Sequence, residues 1–437
     1  MNLEADTGVA GRHRGGRRVL AALVALGAAT VALALPGGAW GAAGDLDPSF
    51  SGDGIVTSSN AYQGGGAGPV AIDSHGRIVV SSETSIERYR PNGTLDTSFS
   101  GDGRIETNFI VQSIAVDSLD RVVAVGYANN PADPKHNQVF AVGRFRANGT
   151  PDPSFSGDGL ALTPIGGGGD DQASAVAIDS QGRIVVAGHS YKHPSGTFFA
   201  LARYMPNGNP DTSFSGDGQL QTGFPNVQNA FGQDVALDSR GRIVVAGRTD
   251  DRFAVARYGP HGGLDPSFSG DGMLTTAMAG NASAGETVVV DDSDRILVGG
   301  LASFTDPSKY EFALARYRPN GALDPSFSGD GKAYTSFGRD RSDDTGLAID
   351  DQGRVVAAGW TFDQDNSNSA FALARYTPGG ALDPSFSGDG RVTTKVGPFS
   401  FGNGVALDAN GKIVVAGYAS AADLSDPRIT VARYLGA

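Results

Sequence analysis

The sequence predicts an all-β fold, and three observations carry that prediction. Glycine makes up 64 of 437 residues, roughly twice its usual share, which suits many tight turns better than long helices. Phe-Ser-Gly-Asp-Gly recurs seven times, with its Phe at 50, 99, 155, 214, 268, 327 and 386, at intervals of 49 to 59 residues. Such a period is that of propellers and other repeat arrays. Between copies, three short β-branched or aromatic segments recur in fixed order, bounded by Gly, Asp, Asn or Pro. Each reads as a strand.

The first segment is an apolar stretch ending in Asp, as in Val235-Ala236-Leu237-Asp238. The second is Gly241-Arg242-Ile243-Val244-Val245-Ala246-Gly247 and its counterparts, and the third Phe253-Ala254-Val255-Ala256-Arg257-Tyr258. A fourth, weaker strand follows the Gly-Asp-Gly turn, as in Leu274-Thr275-Thr276, and the Leu-Asp-Pro-Ser-Phe stretch before the turn could belong to it. Four short antiparallel strands in each of seven units predict a seven-bladed β-propeller of four-stranded blades. The chain opens with the last strand of a unit, around Ile55-Val56-Thr57, and closes with three strands ending at Tyr434. The N-terminal strand is therefore expected to complete the last blade and leave no long open edge. A linear β-solenoid is the competing architecture; the phase offset favours closure.

Length alone would allow about three domains, but the repeats read as one, over residues 44–437. Residues 1–43 read as a signal peptide: Arg12, Arg14, Arg17 and Arg18, an apolar run from Val19 to Leu35, then small residues around Gly41-Ala42-Ala43. That pattern predicts cleavage and export, to the secreted or envelope-associated space. With no cysteine there is no disulfide framework and no thiolate site. Net charge is −13, and −15 after the +2 of residues 1–43 is removed. A surface that acidic repels phosphate backbones and anionic lipid, so neither nucleic acid nor membrane insertion is expected. The mature protein is expected to be a monomer.

The repeated polar residues have a structural reading. Three Asp positions recur in every unit, as in Asp238, Asp265 and Asp271, with two basic ones, as in Arg242 and Arg257. Asp and Gly suit turns because Asp bonds its own backbone and Gly takes positive φ. Arg257 alternates with Phe253 and Val255 on one face of its strand, with Ala254 and Ala256 on the other. A bulky face against a small one would stack adjacent blades, and the guanidinium would need a repeated Asp as partner.

Leu-Asp-Pro-Ser-Phe-Ser-Gly-Asp-Gly and Gly-Arg-Ile-Val-Val-Ala-Gly, both shown by residues 382–417 with Lys412 in place of the Arg, and the third segment with its Pro-Asn-Gly turn over 312–321, resemble the bacterial delta-60 repeat. The resemblance covers essentially everything after residue 44 and departs locally, as at Ile86-Glu87-Arg88-Tyr89. It implies a secreted or envelope-associated β-propeller and no catalytic residues.

Function is sought where units differ. The turns Asp238-Ser239-Arg240-Gly241 and Pro319-Asn320-Gly321 barely change between units, while length varies in the second-to-third and fourth-to-first connections. In an up-and-down blade these variable loops share one face, which often binds. Directly after the second-strand Gly position (Ser82 in the first unit) stand Glu83, Tyr127, His189, Arg248, Leu301, Trp360 and Tyr418; two residues before each first-strand apolar run stand Gly68, Gln112, Ser174, Gln233, Glu286, Thr345 and Asn403. If the first strand is innermost, the second set rings the mouth of a central channel. Aromatic faces beside amides, hydroxyls and carboxylates suit a polar small molecule or glycan; a protein partner would use the same face. The alternative is that these positions vary because nothing packs on them.

No cofactor is expected. Asp363-Gln364-Asp365-Asn366-Ser367 resembles the start of a calcium loop without its Gly and distal Glu, so calcium is the one metal to test. Asp170-Asp171 and Asp343-Asp344 read as solvated acidic loops. Of the histidines, His136, His189 and His193 reach the variable face, and His189 with Glu83, Arg248 and Glu286 is the one set that could serve an enzyme. No Gly-x-Ser-x-Gly elbow, phosphate loop or His-Glu-x-x-His occurs. Three functions stay open: a binding or adhesion propeller, a passive envelope scaffold, and a propeller lyase, hydrolase or quinone-dependent dehydrogenase.

Overall fold

The computed structural model describes residues 41–436 except 62–66, 133–137, 167–168, 193, 281, 305–308, 339–340, 364–366 and 422–425. All but the last three residues of the predicted signal peptide lie outside that range, as do His136, His193 and the centre of the calcium-loop candidate. The described residues form 28 strands and no helix. Strands Ala230–Leu237, Ile243–Thr249, Arg252–Tyr258 and Met273–Thr276 pair antiparallel in chain order. The same four-stranded meander repeats along the chain, and two of the copies, at 282–335 and 341–394, are joined by a single parallel pairing of Tyr310 with Arg341. The last meander draws on both chain ends: Phe399–Leu407, Ile413–Ser420 and Arg428–Tyr434 are followed by Ile55–Ala61, with Ile55 opposite Ala432. The stretch before the Gly-Asp-Gly turn adds only an isolated bridge, as between Tyr258 and Leu264, so the fourth strand starts after the turn.

That turn explains its own sequence. Ser269, Gly270 and Gly272 sit at φ of 57°, 94° and 89°, a left-handed region in which only glycine is at ease. The Gly272 amide donates to the Phe268 carbonyl at 2.8 Å, and Asp271 Oδ1 accepts the Met273 amide at 3.0 Å. Phe268 is fully buried beneath it.

The core lies between neighbouring sheets. Phe253 and Val255 pack against Ala313 and Ala315 of the next sheet, and Phe312 and Leu314 against Ala372 and Ala374 of the one after. The alternation of large and small residues read from the sequence is thus the stacking device. Each third-strand arginine caps this core. Arg257 Nε donates to Asp265 at 2.9 Å and Nη2 to Ser267 at 3.0 Å, while the guanidinium lies 4.8 Å from the Phe268 ring. Its Nη1 reaches the Pro319 carbonyl of the next sheet's turn at 2.6 Å. Arg88, Arg144, Arg203 and Arg316 repeat the pattern, Arg375 bonds the Gly436 carbonyl, and Arg433 reaches back to the Pro91 carbonyl at 2.6 Å.

In the last sheet the usual Pro-Asn-Gly turn is assembled from two pieces. Gly436 offers the carbonyl that Pro319 offers elsewhere. Ala43 replaces Asn320, its carbonyl accepting the Ser387 amide at 2.7 Å as Asn320 accepts that of Ser269 at 2.9 Å. Gly44, at φ 96°, replaces Gly321 at 88°. The Gly44 amide donates to Leu435 at 2.8 Å, which ties the two pieces together.

Candidate functional site

Every first strand carries a β-bulge at the same place. In the unit above, Gly232 pairs with Gly247 and Asp234 with Ala246, leaving Gln233 extra. The extra residue is Gln112, Ser174, Glu286, Thr345 or Asn403 in the others, and Gly68 with Pro69 in the first. A bulge re-aims the residue it inserts. Opposite it the second strand carries glycine in every unit but the first, which has Ser82: a Cβ on Gly247 would lie 1.9 Å from the Phe231 carbonyl oxygen, and one on Gly126 1.9 Å from that of Ile110. These bulges explain why the channel-mouth set occupies fixed positions with unrelated side chains.

The structure brings that set together. Gly68, Gln112, Ser174, Gln233, Glu286, Thr345 and Asn403 line one cavity of about 430 Å3, joined by Glu83 and by Asp234, which the sequence reading missed. Strand contacts tighten it: Gln233 Nε2 donates to Glu286 Oε2 at 2.7 Å, and Thr345 Oγ1 to the Gly402 carbonyl at 2.9 Å. Asp234 accepts the Val288 amide at 2.7 Å and the Thr287 hydroxyl at 3.1 Å. Burial pushes the Asp234 carboxyl up to about 6 against the pull of these donors. Burial likewise raises Glu286, opposed by Arg248 and Gln233. The lining offers carboxylates, amides and hydroxyls but no Lys or Arg among the described residues, a surface for hydroxyl or amide groups rather than for anions.

The other predicted residues divide. Arg248, Leu301 and Trp360 line a second crevice of about 270 Å3, which shares Glu286 with the first. Tyr127, His189 and Tyr418 line neither. Tyr418 stacks on Phe401 at 4.8 Å, and His189 meets the edge of Phe231 at 5.2 Å. Burial, with the nearby Arg248 charge, pushes the His189 imidazole down to about 4, and its Nδ1 has no hydrogen-bond partner. The one set suggested for an enzyme is therefore only partly assembled: Glu286 lines the channel with Glu83 and the crevice with Arg248, while His189 lines neither. Asp171 is buried and Asp343 is partly so. Asp171 is 1% exposed, its Oδ2 accepting the Ile165 amide at 2.7 Å, and Asp343 Oδ1 is sealed from solvent. Both acids fall on strands rather than loops.

Ligand-type atoms of Asp73, His75 and Asp120 also cluster, within 4.8 Å. Their capacity is already used: Asp120 accepts the Ser74 amide and hydroxyl at 2.9 Å each, and Asp73 pairs with Arg77 at 2.5 Å.

Against known proteins, residues 75–99, 180–214, 241–268, 293–327 and 353–386 match the family described as a domain of unknown function (DUF5122) beta-propeller. These matches support a β-propeller repeat family, in agreement with the all-β, four-stranded antiparallel sheets. No curated protein matches the chain. Among solved structures, a chain of the Mitotic Checkpoint Complex is similar at 12% identity and a TM-score of 0.53, with 96% of this chain and 98% of that one covered. A PL25 ulvan lyase reaches 0.49 at 11% identity, over 87% and 96%. The extracellular domain of BT4673 from B. thetaiotaomicron reaches 0.46 at 12% identity, over 86% of this chain and only 40% of that one. Likeness at such identities is one of fold alone.

Proposed function

We propose that the chain is an exported, seven-bladed β-propeller of the delta-60 repeat kind, closed by the N-terminal strand, that serves as a binding or adhesion module. Closure is supported by the pairing of Ile55 with Ala432 and by the bond from Arg433 back to Pro91. Export is supported by the basic and apolar pattern of residues 12–35. The ligand site lies on the face of the variable loops, where the channel opens, and takes a polar small molecule or glycan. The observation that carries this reading is the contrast inside one strand: the bulge is repeated in every unit, while the residue it delivers to the cavity is amide, hydroxyl, carboxylate or glycine. A frame that repeats its backbone and varies its lining is built to present a specific surface.

Thermal unfolding of the exported chain, with calcium, with chelator and with a panel of cell-wall and plant saccharides, tests it. A ligand that binds only the folded state raises the midpoint by mass action. A saturable rise with one saccharide, lost in Gln112→Ala, is the expected result. A midpoint indifferent to the whole panel and to calcium would instead favour a protein partner or the passive scaffold.

A further inference from the structure

One residue breaks the pattern of its own slot. The first-strand residue opposite the variable second-strand position is Ile110, Gln172, Phe231, Ala284, Asp343 or Phe401, facing Tyr127, His189, Arg248, Leu301, Trp360 and Tyr418 in turn. Where the slot holds a ring, the ring packs on its partner: Phe231 lies 5.0 Å from the Arg248 guanidinium, and Phe401 stacks on Tyr418. Asp343 puts a carboxylate there instead, and its solvent-sealed Oδ1 has no hydrogen-bond partner. A buried carboxyl oxygen left unsatisfied costs stability. The frame does not require it, because the other slots keep the same pairing without an acid.

Asp343 lines the crevice of about 270 Å3 together with Arg248, Glu286, Tyr310, Arg341 and Trp360. Two guanidinium groups and two carboxyls give that lining donors and acceptors with no net formal charge. Burial, reinforced by the Glu286 carboxylate, holds the Asp343 carboxyl well above the usual range. Beyond the crevice, Trp360 touches Phe362 at 5.2 Å and Phe401 at 5.5 Å, and Phe401 leads on to Phe399 and Tyr418. All five rings are partly exposed.

We propose that this crevice is a saccharide subsite that takes one pyranose ring of a neutral oligosaccharide, with further rings laid along the aromatic row. Sugar hydroxyls donate to Asp343 and Glu286 and accept from Arg248 and Arg341, the double role that a hydroxyl fills. The aromatic faces take the apolar faces of successive rings. A cationic ligand would meet the two guanidinium groups and an anionic one the Glu286 carboxylate. The assignment deepens the binding-module reading and rests on it.

Trp360 supplies the probe, since Trp40 is the only other tryptophan in the chain and precedes the expected cleavage point. Cellohexaose, xylohexaose and mannohexaose are titrated into the exported protein with intrinsic fluorescence and calorimetry as readouts, beside polygalacturonate and a chitosan hexamer. One neutral hexasaccharide is expected to shift the fluorescence saturably. Asp343→Asn should weaken binding about tenfold without lowering the unfolding midpoint, and Arg341→Gln, at an exposed position, should weaken it too. Binding of polygalacturonate or chitosan alone overturns the neutral assignment. Loss in Gln112→Ala with none in Asp343→Asn or Arg341→Gln places the sugar in the channel, so the subsite falls and the binding module stands. No saturable binding to any of the five overturns the subsite; if the wider thermal-shift panel is also silent, the small-ligand reading of the module falls with it.

Discussion

Arg257 shows how much one repeated side chain does. Its guanidinium pairs with Asp265, bonds Ser267, covers Phe268 and reaches the next sheet at Pro319. Lysine has no fork with which to do this. Arg257→Lys is therefore expected to cost about 3 kcal/mol, the scale of a broken buried pair, read as a lower urea midpoint. The partner carboxylates set an acid limit. Burial alone would raise Asp47, but Lys412, Ser49 and Arg433 overcome it and hold its carboxyl down to about 2. Its equivalents Asp96, Asp152, Asp211, Asp265, Asp324 and Asp383 are lowered as well. A carboxyl with a depressed folded value stabilises above its unfolded value near 3.8 and loses that contribution as pH falls through the folded one. Stability is expected to be lost cooperatively between about pH 4 and pH 2, and circular dichroism against pH checks this. A midpoint unchanged down to pH 2 would contradict the network's role.

Among the elements, the strands and their order were legible in the sequence, because Gly, Asp and Pro punctuate them and the Phe-Ala alternation marks two faces. The Arg257–Asp265 pairing followed from the need of a buried guanidinium for a partner. The bulges were not legible: an inserted residue leaves the period of a short apolar run almost unaltered. The glycines of the second strand carried that signal, since Gly247 has no positive φ to explain it and must be small for a facing carbonyl. Gly247→Ala is expected to cost about 2 kcal/mol as an overpacking change, with loss of the bulge visible in the amide exchange of Gln233. Asp343 was misread for a related reason. Two adjacent acids resemble a solvated loop, but both fall on the strand Arg341–Ile349.

For the molecule as a whole, stability depends on contacts between sheets. Tyr204 and Tyr258 donate across sheet boundaries to Thr163 at 2.8 Å and Thr222 at 2.9 Å, and Phe and Ala faces interleave between them. Removing residues 41–61 takes away the strand that covers the Arg428–Tyr434 edge. An uncovered strand is a template for pairing with another chain, so the truncated protein is expected to self-associate, as light scattering would show, while the intact chain does not. A truncated protein that stays monomeric and unfolds at the same temperature would show that the N-terminal strand closes nothing.

The divided turn of the last sheet also imposes an order on folding. Asp47 meets Arg433 across 386 residues of sequence. Ala43 and Gly44 are synthesised long before Leu435 and Gly436, which complete their turn. Contacts so distant in sequence carry the largest loop-closure entropy and form slowly. The leading strand must therefore wait, unpaired, while the intervening sheets are made and stacked. Its docking waits on Arg428–Tyr434, and until then the strand is open to interception by a neighbouring chain.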